Sequence, residues 1–233
     1  LASHSIAATY VGHPLANVIP LEPDKTAARA ALGLDASDRV LALLPGSRSS
    51  EIQHLALGFF QAAALVKQAQ PAIKLIVPAV PALRSAIERA AAQAGVLDKV
   101  QIVNGQSHTV LAACDVTLIA SGTATLEAAL FKQPMVIAYR MGWLSWQIMR
   151  RKQLQPWVSL PNLCNRDFIV PELIQDRATP QALANAVLQW LDDLDRQPAK
   201  MTALQQQFVT LHRSLRRDTS TLATDAIEKI LAR

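Results

Sequence analysis

Residues 116–127, Val-Thr-Leu-Ile-Ala-Ser-Gly-Thr-Ala-Thr-Leu-Glu, join a predicted buried strand to a predicted helix through a turn of small residues. The first N–H groups of a helix have no partner within the helix, and the helix dipole favours negative charge there. The small side chains of Ser121, Gly122 and Thr123 would let a phosphate approach the backbone. Glu127 follows inside the helix, where a carboxylate would accept both hydroxyls of a ribose. The pattern predicts a nucleoside diphosphate site; the alternative is an ordinary capped helix with a solvated Glu127.

A second turn of the same kind follows the apolar run at residues 40–44. Its glycine would let a phosphate approach the backbone closely, and its serine can donate a hydrogen bond. Its arginine would bind the phosphate through several guanidinium N–H groups. The residues expected to contact the phosphate are Gly46, Ser47 and Arg48, with Ser49 or Ser50 as the cap of the next helix. The alternative is that Arg48 pairs with Glu51 on the surface. The spacing matches neither a Walker A loop nor the dinucleotide fingerprint. Two such turns in one parallel sheet can face a single ligand.

Four segments of the chain together resemble the lipid-A-disaccharide synthase family. They are Tyr-Val-Gly-His-Pro-Leu-Ala at 10–16, Leu-Leu-Pro-Gly-Ser-Arg at 43–48 followed by Ser-Glu-Ile at 50–52, Ala-Ser-Gly-Thr-Ala-Thr-Leu-Glu at 120–127, and Ser-Leu-Pro-Asn at 159–162. The resemblance covers nearly the whole chain. It implies the C-terminal, donor-binding half of a GT-B glycosyltransferase, in which two Rossmann-like domains flank a cleft.

The resemblance also implies a reaction. The family is a hexosyltransferase of lipid A, and hence lipopolysaccharide, biosynthesis in Gram-negative bacteria. It joins UDP-2,3-diacylglucosamine to 2,3-diacylglucosamine 1-phosphate with inversion and releases UDP. The implied location is the cytoplasmic side, peripheral at the inner face of the inner membrane.

Apolar runs alternate with helical patterns over the first two thirds of the chain. Strands are predicted at 39–44, 72–78, 100–103, 115–120 and 134–139, and helices at 50–69, 81–94, 107–113, 123–132 and 143–152. This alternation predicts an α/β fold, a Rossmann-like parallel sheet flanked by helices. After Arg166 the pattern predicts only helices, at 170–176, 180–193, 198–215 and 218–232, with Pro171 and Pro180 in first-turn positions.

The resemblance divides the chain into three parts. Residues 1–17 are expected to be the linker and remnant of a missing N-terminal domain, since the chain begins with Leu. Residues 18–166 are expected to form the nucleotide-sugar donor domain, and residues 167–233 a helical extension packed on it or on a partner domain. In the family, this tail can be exchanged between the two chains of a homodimer.

The segment 139–152 has the composition of a membrane-surface helix, because it combines tryptophans with cations. The net charge of +5 and the pI of about 9.5 also favour anionic lipid. The candidate surface residues are Trp143, Trp146, Arg150, Arg151 and Lys152. The alternative is that Trp143, Leu144 and Ile148 pack on the sheet while the cations form a solvated helix end.

The segment after residue 156 holds three further candidates for the donor site. Asn162 follows two prolines in a predicted loop, and turn chemistry alone would explain it. In the family, this Leu-Pro-Asn loop lines the donor site, which makes Asn162 a candidate ligand of the diphosphate or sugar. Glu172 and Gln175 are predicted one turn apart on a helix, where they would reach the same sugar or simply be solvated.

The sequence predicts no cofactor, no metal site and no nucleic-acid partner. Its two cysteines and five histidines have no ligand spacing, and no apolar run is long enough to span a membrane. No catalytic base is evident. His13, His54 and His108 are candidates only because histidine can act as a base, and no motif around them indicates that role. The base is therefore expected in the missing domain, and this chain alone is expected to be inactive. The alternatives are a UDP-N-acetylglucosamine 2-epimerase-like enzyme, which acts without lipid, and a non-catalytic nucleotide- or membrane-binding module.

Overall fold

The computed structural model describes residues 8–152 and 154–231, and these residues form a sheet of six parallel strands flanked by helices. The strands are β1 (Val40–Leu44), β2 (Lys74–Ala79), β3 (Val100–Asn104), β4 (Val116–Ala120), β5 (Met135–Tyr139) and β6 (Glu172–Ile174). They lie in the order β3-β2-β1-β4-β5-β6. Every residue of the central strands β1 and β4 is buried, which explains their continuous apolar sequence.

Helices cover both faces of this sheet. They are α1 (Leu15–Val18), α2 (Lys25–Ala31), α3 (Ser49–Ala69), α4 (Arg84–Gln93), α5 (Ser107–Ala113), α6 (Thr123–Leu130), α7 (Trp143–Lys152), α8 (Leu160–Asn165), α9 (Pro180–Arg196), α10 (Pro198–Leu215) and α11 (Thr219–Leu231). The long helices α3 and α9 pack against each other. Phe59 and Phe60 of α3 are fully buried in the core between these layers.

The predicted α/β fold class is confirmed, and the five predicted strands agree with the observed ones to within two residues. The prediction of a helix at 170–176 is wrong. Residues Glu172–Ile174 form the edge strand β6, which pairs in parallel with β5, and Pro171 precedes this strand instead of opening a helix. A three-residue strand containing a glutamate carries too little apolar periodicity to be recognised.

The predicted loop around Asn162 is a short helix, α8. Pro161 occupies one of its first positions, where the missing N–H of proline costs nothing. The helices predicted at 180–193 and 198–215 are confirmed as α9 and α10, and the helix predicted at 218–232 is confirmed as α11 over the described residues, which end at 231. Thr179 caps α9 by accepting the N–H of Ala182 at 3.2 Å, which agrees with the predicted first-turn place of Pro180.

A buried amine joins α6, α10 and the N-terminal segment. The Nζ atom of Lys132 lies 2.9 Å from Nδ1 of His212 and donates to the carbonyls of Leu130 at 2.5 Å and Pro20 at 3.3 Å. The other ring nitrogen of His212 lies 2.9 Å from the carbonyl of Ala16. Burial lowers the pKa of Lys132 to about 8, because desolvation penalises the charged form. Burial also lowers the pKa of His212.

The N-terminal segment runs beside the end of α10. His13 donates its N–H to the carbonyl of Leu215 at 2.9 Å, and the side chain of Asn17 donates to the carbonyl of Arg217 at 2.7 Å. Gly12 has a φ of +87°, and a Cβ atom there would lie 2.7 Å from the Leu215 oxygen, so this crossing requires glycine. None of the helices in the described ranges is long and apolar enough to cross a bilayer.

Candidate functional site

A cleft of about 270 Å³ lies at the carboxyl edge of the sheet. The last residues of β1, β2 and β4 line it, together with the turns that follow β1, β3 and β4. Seven of the predicted donor-site residues line this one cleft: Gly46, Ser47, Arg48, Ser121, Gly122, Thr123 and Glu127. The structure therefore brings the two strand-turn-helix motifs together, as expected for a parallel sheet.

The turn after β1 holds a side-chain carboxylate. Glu51 accepts the backbone N–H groups of Ser47 at 2.8 Å and Arg48 at 3.3 Å, and its other oxygen pairs with the Arg48 guanidinium at 2.8 Å. Gly46 has a φ of +135°, and a Cβ atom there would lie 2.4 Å from the Glu51 side chain. The helix begins at Ser49 with Arg48 as its N-cap, so the predicted serine cap is wrong. The ion pair between Arg48 and Glu51, left open as the alternative, is present.

The turn after β4 leaves the N-terminus of α6 open to the cleft. No side chain caps this helix, and its first turn contains no acidic residue. The carbonyl of Gly122 accepts both the N–H and the hydroxyl of Thr125, at 3.1 and 2.7 Å. Ser121 donates its own N–H to the carbonyl of Ala138 at 2.9 Å and is not the cap. The dipole and the unpaired N–H groups at this helix end therefore favour an anion in the cleft.

Glu127 lies inside α6 and is held by a histidine. Its Oε2 atom is 3.2 Å from Nε2 of His108, which belongs to the first turn of α5. The imidazole also packs against the ring of Phe131, with 5.3 Å between centroids. His108 was predicted only as a possible base, and its pairing with Glu127 was not predicted. Gly105 and Ser107 also line the cleft without having been predicted, although they follow strand β3 and lie at the start of a helix, like the two predicted turns.

Three predicted donor-site residues do not line the cleft: Asn162, Glu172 and Gln175. Asn162 is fully buried, and its amide donates to the carbonyl of Val170 and to Glu172, both at 2.9 Å. The Glu172 carboxylate also accepts the N–H groups of Val158 and Ser159 and the Ser159 hydroxyl. These contacts tie the 158–162 segment to the edge of the sheet.

Glu172 and Gln175 do not share a helix face. Glu172 lies in β6, and Gln175 begins the 3-10 turn that follows it. Gln175 has a φ of +54°, and its side-chain Nε2 is buried without a hydrogen-bond partner among the described residues.

Helix α7 presents one tryptophan to solvent and one to a cavity. Trp143 is 73% exposed and Ile148 is 51% exposed, so the alternative in which Trp143, Leu144 and Ile148 pack on the sheet is wrong for Trp143 and Ile148. The side chain of Leu144 lies outside the described residues. Trp146 is half-buried and lines an apolar cavity. Arg150 and Arg151 are exposed. The side chain of Lys152 lies outside the described residues.

The described residues contain no group of three His, Cys, Asp or Glu side chains that could hold a metal ion. Burial raises the pKa of the Cys114 thiol to about 12, which makes this cysteine a packing residue and not a nucleophile.

Comparisons with known proteins identify relatives over the whole chain. A family model described as lipid-A-disaccharide synthetase matches residues 2–227. The lipid-A-disaccharide synthase of Albidiferax ferrireducens is 71% identical over 231 residues, which make up 99% of this chain and 59% of that protein. The lipid-A-disaccharide synthase of Verminephrobacter eiseniae is 65% identical over 232 residues, or 100% of this chain and 60% of that protein. The chain thus spans about 60% of the length of these curated relatives.

A solved structure supports the fold. Anabaena HepE in complex with UDP-glucose matches with a TM-score of 0.60 and 16% identity, over 95% of this chain and 56% of HepE. At this identity the likeness concerns the fold alone, and it agrees with the predicted GT-B type.

Proposed function

This chain belongs to the lipid-A-disaccharide synthase family, and we propose that it is the donor-binding half of that glycosyltransferase. The whole protein would transfer 2,3-diacylglucosamine from its UDP conjugate to 2,3-diacylglucosamine 1-phosphate, with inversion at the anomeric carbon. The products are the lipid A disaccharide 1-phosphate and UDP.

The convergence of the two turns with Glu127 in one cleft carries this proposal. The open N-terminus of α6 takes the diphosphate, since its N–H groups and dipole favour negative charge. Arg48 exchanges its contact with Glu51 for a charge-assisted contact with a phosphate. Glu127, oriented by His108, accepts the ribose hydroxyls. Asn162, Glu172 and Gln175 support the neighbouring loop, and we do not assign them a direct contact with the nucleotide.

The chemistry requires a base for the attacking 6-hydroxyl of the acceptor and stabilisation of the leaving UDP. Arg48 and the α6 N–H groups supply the second requirement without a metal ion. Among the described residues that line the cleft, the two carboxylates, Glu51 and Glu127, are already engaged, Glu51 with Arg48 and Glu127 with the neighbouring His108. We propose that the base lies in the part of the protein that this chain does not span, and we expect the chain alone to transfer no sugar.

We also propose the predicted organisation of the whole protein. Residues 1–17 would lead from an N-terminal domain, residues 18–166 with the edge strand β6 would form the donor domain, and the remaining helices would pack on it or on a partner. Helix α11, which has no buried residue, suits exchange between the chains of a homodimer. The exposed Trp143, Ile148 and Met149 of α7 suit a peripheral site on an anionic membrane. A 2-epimerase acting on a soluble nucleotide sugar would have no use for that surface.

Calorimetry of the chain with UDP in the presence of a chelator tests the proposal. We expect saturable binding of UDP and much weaker binding of uridine, because uridine lacks the phosphates that Arg48 and α6 would hold. Failure to bind UDP, or binding that requires magnesium, would contradict the assignment of this cleft.

A further inference from the structure

The cleft at the carboxyl edge of the sheet is poor in positive side chains. The charged side chains that line it are one guanidinium, Arg48, and two carboxylates, Glu51 and Glu127. Together these three groups carry a net charge of −1, although the proposed ligand is itself an anion, and like charges in one site repel each other. The dipole of α6 offsets part of this repulsion. A further positive charge beside the cleft would therefore favour the binding of a diphosphate.

One titratable side chain lies directly behind the cleft. His108 does not line it, but its Nε2 atom lies 3.2 Å from Oε2 of Glu127, which does. The His108 side chain is 41% exposed, so its ring can exchange a proton with solvent. Histidine is the residue type whose charge ordinarily changes between about pH 5 and 8. A proton on this ring would supply the positive charge that the cleft lining lacks.

The fold holds the imidazole against Glu127. The chain leaves β3 through Gly105 and Gln106, whose φ angles of +64° and +59° lie in the left-handed region, and His108 follows in the first turn of α5. This backbone conformation is unfavourable for glutamine, so contacts outside the turn stabilise it. One such contact is the packing of the imidazole on the ring of Phe131, with 5.3 Å between centroids. The ring is thus held by two residues that are four positions apart in the chain.

The contact with Glu127 is compatible with both charge states of His108. A neutral imidazole donates from one nitrogen, and a carboxylate can only accept, so the neutral ring carries its proton on Nε2. Protonation adds a second N–H at Nδ1 and turns the same contact into a charge-assisted hydrogen bond. In both states Oε2 of Glu127 is held by the ring, and Oε1 is available to the ribose hydroxyls. The charge beside the cleft is what differs between them.

The other charged groups around α5 lie away from His108. Glu127 is the only charged side chain of α6, and Lys132, beyond the end of that helix, is buried against His212 at 2.9 Å. The other elements that pack most closely on α5 are α2, β1 and β2. Their charged side chains are Lys25, Arg29 and Lys74. The first two pair with Asp115, just before β4, and the third begins β2, so all three lie at the opposite edge of the sheet.

We propose that His108 is a positioning residue whose proton is coupled to nucleotide binding. Protonated His108 compensates the charge of Glu127 and leaves that carboxylate as the ribose acceptor, so the cleft binds a diphosphate more tightly. By linkage, a bound diphosphate favours the uptake of a proton from solvent by His108, and release of the nucleotide returns it. This inference rests on the proposed function and adds a regulation of the same site, in which lower pH strengthens the binding of nucleoside diphosphates.

Calorimetry of UDP binding between about pH 6 and 8 tests the coupling. Each titration is repeated in two buffers of different ionisation enthalpy, which gives the number of protons taken up. The variant is His108→Gln, whose amide can also donate to Glu127 but does not take up a proton in this range. We expect the affinity of the parent relative to the variant to rise severalfold towards the lower pH, by at most about tenfold per pH unit for one proton. The proton of the UDP phosphate contributes equally to both proteins.

Two more variants separate the position of Glu127 from the charge beside it. His108→Ala removes both the donor and the proton, so it should weaken UDP binding at every pH. His108→Gln should recover most of this loss at about pH 8. His54→Gln is the matched control, because His54 is exposed on α3 and does not line the cleft; it should keep the pH dependence of the parent. Added salt should reduce the pH dependence of the parent, because it screens charges.

Two outcomes would overturn the inference and leave the proposed function intact. In the first, the parent and His108→Gln bind UDP with the same pH dependence and the same proton uptake. In the second, lower pH weakens the parent relative to the variant, which would mean that the imidazolium draws Glu127 away from the ribose. Absence of UDP binding by the parent at every pH would contradict the proposed function itself, and this inference with it.

Discussion

The guanidinium of Arg48 lies 2.8 Å from the carboxylate of Glu51, and both side chains line the cleft at the carboxyl edge of the sheet. Their environments differ, because the Arg48 side chain is 77% exposed and that of Glu51 is 18% exposed. Glu51 is held by two backbone N–H groups as well, so Arg48 is the partner that can move. A phosphate in the cleft would compete with Glu51 for the guanidinium.

Substitution of Arg48 should affect ligand binding and not folding. A charge-assisted contact with phosphate is worth about 1.5–3 kcal/mol, so Arg48→Ala should weaken UDP by about one to two orders of magnitude. Arg48→Lys should recover only part of this loss, because an ammonium cannot form the bidentate contact. Calorimetry measures the affinities, and the melting temperature without ligand should barely change.

Arg196 offers a matched control for Arg48. Its side chain is 76% exposed and pairs with Asp192 at 3.1 Å within a helix, but it does not line the cleft. Arg196→Ala should leave UDP affinity unchanged. A large loss of stability in Arg48→Ala with normal UDP binding would identify Arg48 as a structural ion-pair residue.

Neutralising Glu51 should strengthen the binding of phosphates. Glu51→Gln retains an oxygen that can accept the Ser47 N–H, but it removes a negative charge that repels the diphosphate and competes for Arg48. We expect UDP affinity to rise severalfold and uridine affinity to stay constant. Glu88→Gln, which neutralises the partner of Arg84 outside the cleft, is the control. A fall in UDP affinity would mean instead that Glu51 holds Arg48 in its productive position.

Glu127 should determine selectivity for the ribose. Glu127→Ala removes the proposed acceptor of the ribose hydroxyls, so we expect UDP affinity to fall by about one order of magnitude or more. The affinity for 2′-deoxy-UDP should fall less, because that ligand offers one hydroxyl fewer. The measurement is the ratio of the two affinities in parent and variant. An unchanged ratio would rule out a contact between Glu127 and the 2′-hydroxyl.

Trp143 should mediate association with membranes without contributing to folding. Because its side chain is largely exposed, Trp143→Ser opens no cavity, and circular dichroism and UDP affinity should match those of the parent. Cosedimentation with anionic vesicles should fall, and rising salt should weaken it further by screening Arg150 and Arg151. Leu97→Ser, at an exposed apolar residue before β3, is the control. Undiminished cosedimentation of Trp143→Ser would exclude this residue from a membrane contact.

Lys132 should make the protein more stable in mild alkali. Its pKa is about 8 in the folded chain and 10.5 in an unfolded one, so between these values the unfolded chain binds more protons. Lys132 therefore raises the free energy of unfolding with pH from about 8 to 10.5, by at most about 1.4 kcal/mol per pH unit for one proton. Above pH 9 the buried Cys114 thiol, whose pKa rises from 9.0 to about 12 on folding, opposes this with a slope of the opposite sign, so the net rise lies between about pH 8 and 9. Urea unfolding at several pH values measures this slope. Lys132→Met should abolish it, whereas Lys229→Met, at an exposed lysine, should not.

The sequence predicted the parts of the fold that depend on local apolar patterns. The runs at Val40–Leu44 and Val116–Ala120 are buried on both faces, so their hydrophobicity was sufficient evidence of central strands. Strand β6 and helix α8 were missed because they are short, and because their stability comes from contacts between Asn162, Ser159 and Glu172. Such contacts between distant residues leave no periodic pattern in the sequence.

In the candidate site, too, local features were predictable from the sequence and contacts between separate elements were not. The two turns after β1 and β4 were recognisable because their small residues interrupt an apolar run. The pairing of His108 with Glu127 was not recognisable, because it depends on how α5 sits against α6. For Arg48, the sequence allowed either a contact with a bound phosphate or an ion pair with Glu51. The residue types alone could not decide between these two alternatives.

The crossing near Gly12 has a mechanical consequence. Tyr10 donates from its hydroxyl to the carbonyl of Ser214 at 3.3 Å, and the Arg217 guanidinium lies over its ring at 5.1 Å. These contacts connect the segment around Tyr10 to the residues that join α10 to α11. A rotation of α11 should therefore also move the segment around Tyr10, with the crossing at Gly12 as the common pivot point.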